Sequence, residues 1–369
     1  MSGLRVAFFL PHFAGGGVER VAVNLAMEYL GLGMNVDFVL AYANGVPVGS
    51  LPKDVRIINL KAERVLFALS SLVRYLRDEQ PDVMFSAPQH THIILLLAKM
   101  ISRSRVRTML HVGNHVSTQV QSSGKLQDRS YPILLRFLKG YADAFIAVSE
   151  GVASDLAYAA KVPLEKIRVV YNPIYRVEME ELMERPVEHP WFSEGQPPVI
   201  LAAGRLVEQK DYPTLFRAFS RLRYQRSVHL VILGEGRLLP ELKKLAAELN
   251  IAEDVDFHGF TTNPYCFMSQ CSVFVLSSAW EGFANVVAEA LACGAQVVST
   301  DCRSGPEEIL ANGQYGQLVP VGDDVALADA ILKALDHPLP EDFLRQRGRS
   351  FTAATAARQY LDAVGIRLP

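Results

Sequence analysis

The chain alternates short runs of apolar, β-branched residues with longer amphipathic segments. In the first half the runs are RVAFFL (5–10), NVDFVLA (35–41), VRIINL (55–60), DVMFSA (82–87), RTMLHV (107–112), AFIAVS (144–149) and IRVVYN (167–172). Between most of them lie helix-length stretches such as VERVAVNLAMEYL and EGVASDLAYAA. Near-continuous apolar strands separated by helices predict a parallel sheet covered on both faces. The alternation stops at RVEMEELMERPVEHPWFSEGQPP (176–198), a charged, proline-bearing stretch without strand character that reads as a linker or excursion between domains. It resumes with VILAAG (199–204), VHLVILG (228–234), VDFHGF (255–260), SVFVLSS (272–278) and QVVSTD (296–301). The fold class is therefore α/β, with two doubly wound Rossmann-like domains over 1–175 and 176–350. Residues 351–369 form a terminal helix that packs back on the first domain. Ligands are expected at the carboxyl ends of the strands and in a cleft between domains.

Composition narrows the class. With 369 residues, half apolar and 21% charged, the chain can build two ordinary cores. No apolar run approaches the roughly 18 residues of a spanning helix. The start, MSGLRVAFFLPH, is too short and too strand-like for a signal peptide. The expectation is a cytoplasmic protein. Cys266, Cys271, Cys293 and Cys302 form no C-x-x-C pair and read as reduced, buried thiols. The net charge of −2 conceals an asymmetry: residues 1–176 carry 20 Lys+Arg against 13 Asp+Glu, and residues 177–369 carry 17 against 26. In the basic half, KMISRSRVR (99–107) and LLRFLKGY (134–141) mix cations with large apolar residues. That mixture suits peripheral contact with an anionic membrane, at its inner face, or a phosphate-bearing acceptor.

Three motifs carry candidate chemistry. In PHFAGGGVERVAVNLA, Gly15, Gly16 and Gly17 join the first strand to a helix, where backbone N–H groups can approach an anion. A dinucleotide fingerprint would need glycine at position 20, which is Arg20, and this argues against a nicotinamide oxidoreductase; no phosphate-cradling G-x-x-x-x-G-K-[ST] occurs either. In AAGRLVEQKDYPTL, a strand ends at Gly204, followed by Arg205 and Lys210. Two cations at the end of a parallel strand suit a diphosphate. In SSAWEGFANVVAEALACG, Glu281 follows a strand, and a helix starting near Phe283 would offer the amides of Phe283, Ala284, Asn285 and Val286 to an anion. Glu289 lies eight positions beyond Glu281, roughly 12 Å of rise if the span were all helical. Paired carboxylates that flank one glycosidic bond lie about 5–9.5 Å apart, so the two glutamates address different parts of a long ligand. No Asp-x-Asp occurs and neither glutamate has a partner at helical spacing, so no metal is expected. Of the close histidine pairs, His90 with His92 reads as polar residues at a helix start. His111 with His115 ends a strand beside the expected ligand region.

Taken together, GGGVERVAVNLA, GRLVEQKDYPTLFRAF, VILGEG, FHGF and above all EGFANVVAEALACG resemble the family-4 retaining glycosyltransferases of GT-B fold, over nearly the whole chain. The resemblance implies a nucleotide-diphosphate sugar, UDP-linked by expectation, as substrate on the second domain, with an acceptor on the first and no further cofactor. It implies that Arg205 and Lys210 hold the diphosphate, Glu289 the ribose and Glu281 the donor sugar. The amides of 283–286 would meet sugar and phosphate, and backbone at His258, Gly259 and Phe260 would lie near the base. Gly16 and Gly17 would approach the diphosphate, with Gly204 ending the strand that presents Arg205. It also implies metal-independent transfer with retention by front-side attack, in which the leaving phosphate helps deprotonate the acceptor. Relatives place a histidine after the fourth or fifth strand. In HVGNHVS either His111 or His115 takes that place, or Asn114 aligns with the relatives' asparagine; His115 is the favoured choice. Asn285 is reminiscent of relatives that use UDP-hexosamines. A lipid-linked or polysaccharide acceptor in bacterial-type glycan assembly follows from the basic first half, and no nucleic acid partner is expected. The alternative is a catalytically degenerate GT-B protein serving as a binding or scaffold partner, which would have lost Arg205, Lys210 or Glu289.

Overall fold

The computed structural model describes residues 3–13, 16–43, 54–122 and 126–368. It divides into two compact units, one comprising Met1–Pro173 with Ala353–Pro369, the other Ile174–Thr352.

The first unit is built on a seven-stranded sheet. In chain order its strands are β1 (Arg5–Leu10), β2 (Asn35–Leu40), β3 (Arg56–Asn59), β4 (Val83–Ser86), β5 (Arg107–Val112), β6 (Ala144–Ala147) and β7 (Ile167–Val169). All pairings are parallel, in the order β3-β2-β1-β4-β5-β6-β7. Covering both faces with helices explains why the central strands read as unbroken apolar runs. Phe8 of β1 stacks on Phe38 of β2 at 5.1 Å between centroids and meets Phe85 of β4 at 5.2 Å. The terminal helix Ala353–Ala363 belongs to this core: Tyr360 and Leu361 are fully buried, and the Tyr29 hydroxyl donates to the Ala357 carbonyl at 3.2 Å.

The second unit carries a six-stranded parallel sheet of β8 (Val199–Ala203), β9 (His229–Leu233), β10 (Val255–Gly259), β11 (Val273–Leu276), β12 (Val297–Thr300) and β13 (Gln317–Val319). Its order is β10-β9-β8-β11-β12-β13. Strand order therefore reverses between β8 and β11, which opens a crevice at their carboxyl ends. The stretch 176–198 forms a helix at Glu178–Met183 that buries Met179 and Met183. The Asn263 side chain donates to the Leu182 carbonyl at 2.8 Å, and Ser269 to that of Met183 at 3.0 Å. The segment is thus packed into the second unit rather than serving as a bare linker.

Candidate active site

The reversal between β8 and β11 brings two of the sequence motifs together. After β8 the chain passes through Gly204 at φ +156°, where a Cβ would lie 2.9 Å from Cε of Lys210. Gly234, after β9, is tighter still: a Cβ there would lie 2.2 Å from the Gly204 carbonyl oxygen. Only glycine at both positions lets the two strand ends close up beside the Lys210 side chain. Asp211 then caps the helix Tyr212–Gln225, accepting from the Thr214 amide, while Tyr212 donates to the Gly204 carbonyl at 3.0 Å. The cap fixes the turn that carries Lys210.

Lys210 Nζ meets Glu281 Oε1 at 2.6 Å, with both side chains largely shielded (14% and 9% exposed). Ser278 donates to the same oxygen at 2.8 Å, and Gln209 donates to the Trp280 carbonyl at 2.9 Å and more weakly to Glu281 Oε2 at 3.4 Å. The loop is tied back to Lys210 through Ser277, which donates to its carbonyl at 2.8 Å. The result is a cation and an anion fixed in low-dielectric surroundings at a strand-order reversal. Burial, and then the Glu281 charge, push the Tyr212 phenol up and the Cys302 thiol up to about 12. Cys302 is therefore a neutral packing group. Burial raises Cys266, Cys271 and Cys293 as well, and all four cysteines are free thiols. Arg205 is exposed, and among the described residues no carboxylate lies within ion-pair distance of it. Sequence reasoning missed Gln209, Ser278 and Tyr212, although Gln209 precedes Lys210 directly and Ser278 stands three residues before the Glu281 that it holds.

The helix after Glu281 starts later than expected. It runs Asn285–Ala292, with Ala284 at φ +68° as its cap. A left-handed residue cannot continue a right-handed helix, so Phe283 and Ala284 precede the first turn, and only Asn285 and Val286 of the four expected positions lie in it. Phe283 and Ala284 are buried. Gly305, at φ +93°, permits the close approach, since a Cβ there would lie 2.5 Å from the Phe283 carbonyl oxygen. Glu289 is buried inside this helix.

At the end of β10, Gly259 (φ +86°) accepts from the Gly234 amide at 2.7 Å, and the Phe260 side chain is 71% exposed. His258, His189 and Asp256 form one group among the described residues with ligand atoms close enough for a metal. The Trp191 amide donates to His189 Nδ1 at 3.2 Å, however, which leaves the ring proton on Nε2, facing Asp256 Oδ2 at 3.2 Å. This tautomer makes a hydrogen-bonded His–Asp pair and withholds the lone pair that a metal would need.

In the first unit, Gly15 lies outside the described residues. Gly16 caps the helix Gly17–Gly31 and accepts from the Arg20 amide, so the helix begins one residue earlier than the glycine loop suggested. His111 lies on β5 with Nδ1 2.8 Å from the Tyr360 hydroxyl, and burial lowers it to about 4. It is a neutral core histidine. His115 lies in the loop after β5, at the carboxyl end of the strand, enclosed with Nδ1 3.7 Å from Asp155. Burial alone would raise the Asp155 carboxyl, but the nearby His115 ring and the hydrogen bonds from the Ser117 amide and hydroxyl outweigh it and hold the group well below the carboxylate range.

Two family descriptions divide the chain between them: Glycosyltransferase Family 4 matches residues 15–176, and Glycosyl transferases group 1 matches residues 187–351. The chain belongs to the GT-B glycosyltransferases of family 4. Among curated relatives it is 29% identical to the N-acetylgalactosamine-N,N'-diacetylbacillosaminyl-diphospho-undecaprenol 4-alpha-N-acetylgalactosaminyltransferase of Campylobacter jejuni, over 97% of this chain and 98% of that protein. It is 27% identical to the lipopolysaccharide core biosynthesis glycosyltransferase LpsE of Rhizobium meliloti, over 90% and 88%. The fold of this glycosyltransferase is shared with HepE of Anabaena in complex with UDP (TM-score 0.78, 19% identity, 97% and 99% covered). It is also shared with the lipopolysaccharide outer core galactosyltransferase WaaB (TM-score 0.72, 20% identity, 98% and 99% covered).

Proposed function

We propose that this glycosyltransferase moves an N-acetylhexosamine from a UDP donor to a lipid-linked diphosphate acceptor in bacterial-type glycan assembly, with retention and without a metal. The observation that carries the donor reading is the Lys210–Glu281 pair at the β8/β11 reversal, where the loop after β8 also carries the exposed Arg205. A departing nucleoside diphosphate develops negative charge, and Lys210, held in place by Glu281, together with the exposed Arg205 can stabilise it. In this reading Arg205 and Lys210 take the diphosphate, Glu281 meets the sugar hydroxyls while holding Lys210 in place, and Glu289 meets the ribose. Backbone at 258–260 faces the base. Such a cation pair can do the electrostatic work that a divalent ion does elsewhere.

The acceptor class and the hexosamine rest on the Campylobacter relative, whose name includes both and whose length matches almost fully. UDP is supported by the HepE complex. The first unit, with its surplus of cations, is the side assigned to the acceptor and to membrane contact. Ile133, Leu134 and Phe137 are exposed along a helix that also carries Arg129 and Arg136. No helix among the described residues is long and apolar enough to cross a membrane.

The deciding experiment is a screen of UDP- and GDP-sugars against diphospho-polyprenol acceptors, with and without EDTA, followed by NMR of the product's anomeric proton. The expected product is an α-linked N-acetylhexosamine formed equally well in EDTA. Absence of binding by any nucleotide sugar would sink the enzymatic reading, and an inverted anomer would sink the mechanism alone.

A further inference from the structure

The segment KMISRSRVR contributes to a concavity that the transferase reading does not use. It lies at the amino ends of β4 and β5, the opposite end of the first sheet from the loops that carry Gly16 and His115. Its volume is about 630 Å³, and its lining includes Arg77, Arg103, Arg105 and Arg107 together with Ser102 and Ser104.

Two of the four guanidinium groups already have structural work. Arg77 donates to the Ile101 carbonyl at 3.3 Å and Arg107 to that of Val364 at 2.9 Å, each next to a helix end. Arg103 and Arg105 are exposed, and among the described residues no carboxylate lies within ion-pair distance of either. Asp82 supplies the single carboxylate of the lining, and one of its oxygens accepts from the Arg5 amide at 2.8 Å. The carboxyl ends of the helices Leu69–Asp78, Gln89–Ser102 and Ala353–Ala363 add about half a negative charge each. Against four cations, one carboxylate and three helix ends leave a surplus of roughly one and a half positive charges in a confined volume. Like charges held together at that density repel one another unless an anion sits among them.

We infer that this arginine-lined pocket is a binding site for a compact phosphate anion, separate from the donor site of the second unit. Arginine's planar fork grips two phosphate oxygens at once, and the serine hydroxyls add donors of the right reach. A pocket of this volume admits a diphosphate or a lipid headgroup and is too small for a nucleic acid duplex.

The test is arginine labelling of the full chain with phenylglyoxal, read peptide by peptide by mass spectrometry, with Arg358 on the exposed face of the terminal helix as internal control. Inorganic pyrophosphate is expected to slow labelling of Arg103 and Arg105 several-fold and to leave Arg358 unchanged. In R105Q, the pyrophosphate concentration that half-protects Arg103 should rise on the order of tenfold, the loss of a charge-assisted hydrogen bond. Protection by phosphatidylglycerol vesicles but not by pyrophosphate would identify the phosphate as a lipid headgroup and uphold the site. If neither protects, or if Arg358 is slowed equally, the four arginines serve only to offset the helix ends and the inference fails.

Discussion

Lys210 and Glu281 stabilise each other only as a pair. Replacing Lys210 by methionine leaves a shielded carboxylate with Ser278 and Gln209 as its remaining partners, and should cost on the order of 3 kcal/mol in a denaturant titration. Glu281→Gln keeps hydrogen-bonding capacity and should cost less. Both Lys210→Ala and Glu289→Ala should lower donor turnover by about 100-fold or more, the scale of losing a preorganised charge contact. Near-normal turnover in both would remove them from the donor site. His92 and His111 make a different prediction, about pH. Burial, with the neighbouring His111 adding to it, lowers His92 to about 3; burial lowers His111 to about 4. An unfolded histidine titrates near 6.5, so the unfolded chain takes up protons first as pH falls. Stability of the first unit is therefore fully present above about pH 6.5 and is lost progressively toward pH 4. Calorimetry between about pH 7.5 and 4.5 checks it, and a flat transition temperature would refute it. At this scale the charged motif residues were legible because their types announce their chemistry. Tyr212, Ser278 and Gln209 were not, because their importance comes from a fold that sets them against Gly204, Glu281 and Trp280.

The elements were legible wherever a strand is buried on both faces. β1, β4, β6 and β11 carry apolar runs bounded by polar residues, and the expected strands match them within one or two residues. β13 escaped notice: it is a three-residue edge strand, two of whose residues are only partly buried, so no apolar run marks it. The late start of the helix Asn285–Ala292 was equally hidden, because FANVVAEALA is a good helical pattern and the left-handed turn at Ala284 goes with a close approach of Phe283 to Gly305, twenty-one residues on from Ala284. Two substitutions test the elements. Gly234→Ala should push β9 away from Gly204 and reduce both stability and donor binding, by about 2 kcal/mol or more in a thermal or denaturant measurement. Tyr360→Ala should cost about 4 kcal/mol by opening a cavity between the terminal helix and the sheet. Tyr360→Phe should cost about 1–3 kcal/mol, since it removes only the partner of His111 Nδ1.

For the whole molecule, the donor reading makes a regional prediction. UDP added to the full chain should slow amide hydrogen exchange around 204–210 and 281–289 in the second unit, and leave the amino ends of the first sheet unchanged. Protection confined to the first unit would overturn the assignment. The two-unit division was visible in the interrupted strand pattern, and so was the charge asymmetry. The expected boundary at 176 put 176–198 with the second unit, but its packed helix was not visible, because its methionines and prolines show no period until the surface they cover is known. One further consequence concerns synthesis. The first unit is interrupted: its chain leaves at Pro173 and resumes at Ala353. On the ribosome, residues 174–352 can fold as soon as they emerge, whereas the earlier unit must wait for the segment that carries Tyr360 and Leu361. Until then the surface around Tyr29 and His111 stands uncovered. A chaperone that screens nascent chains would meet that surface for the whole time needed to make about half the protein.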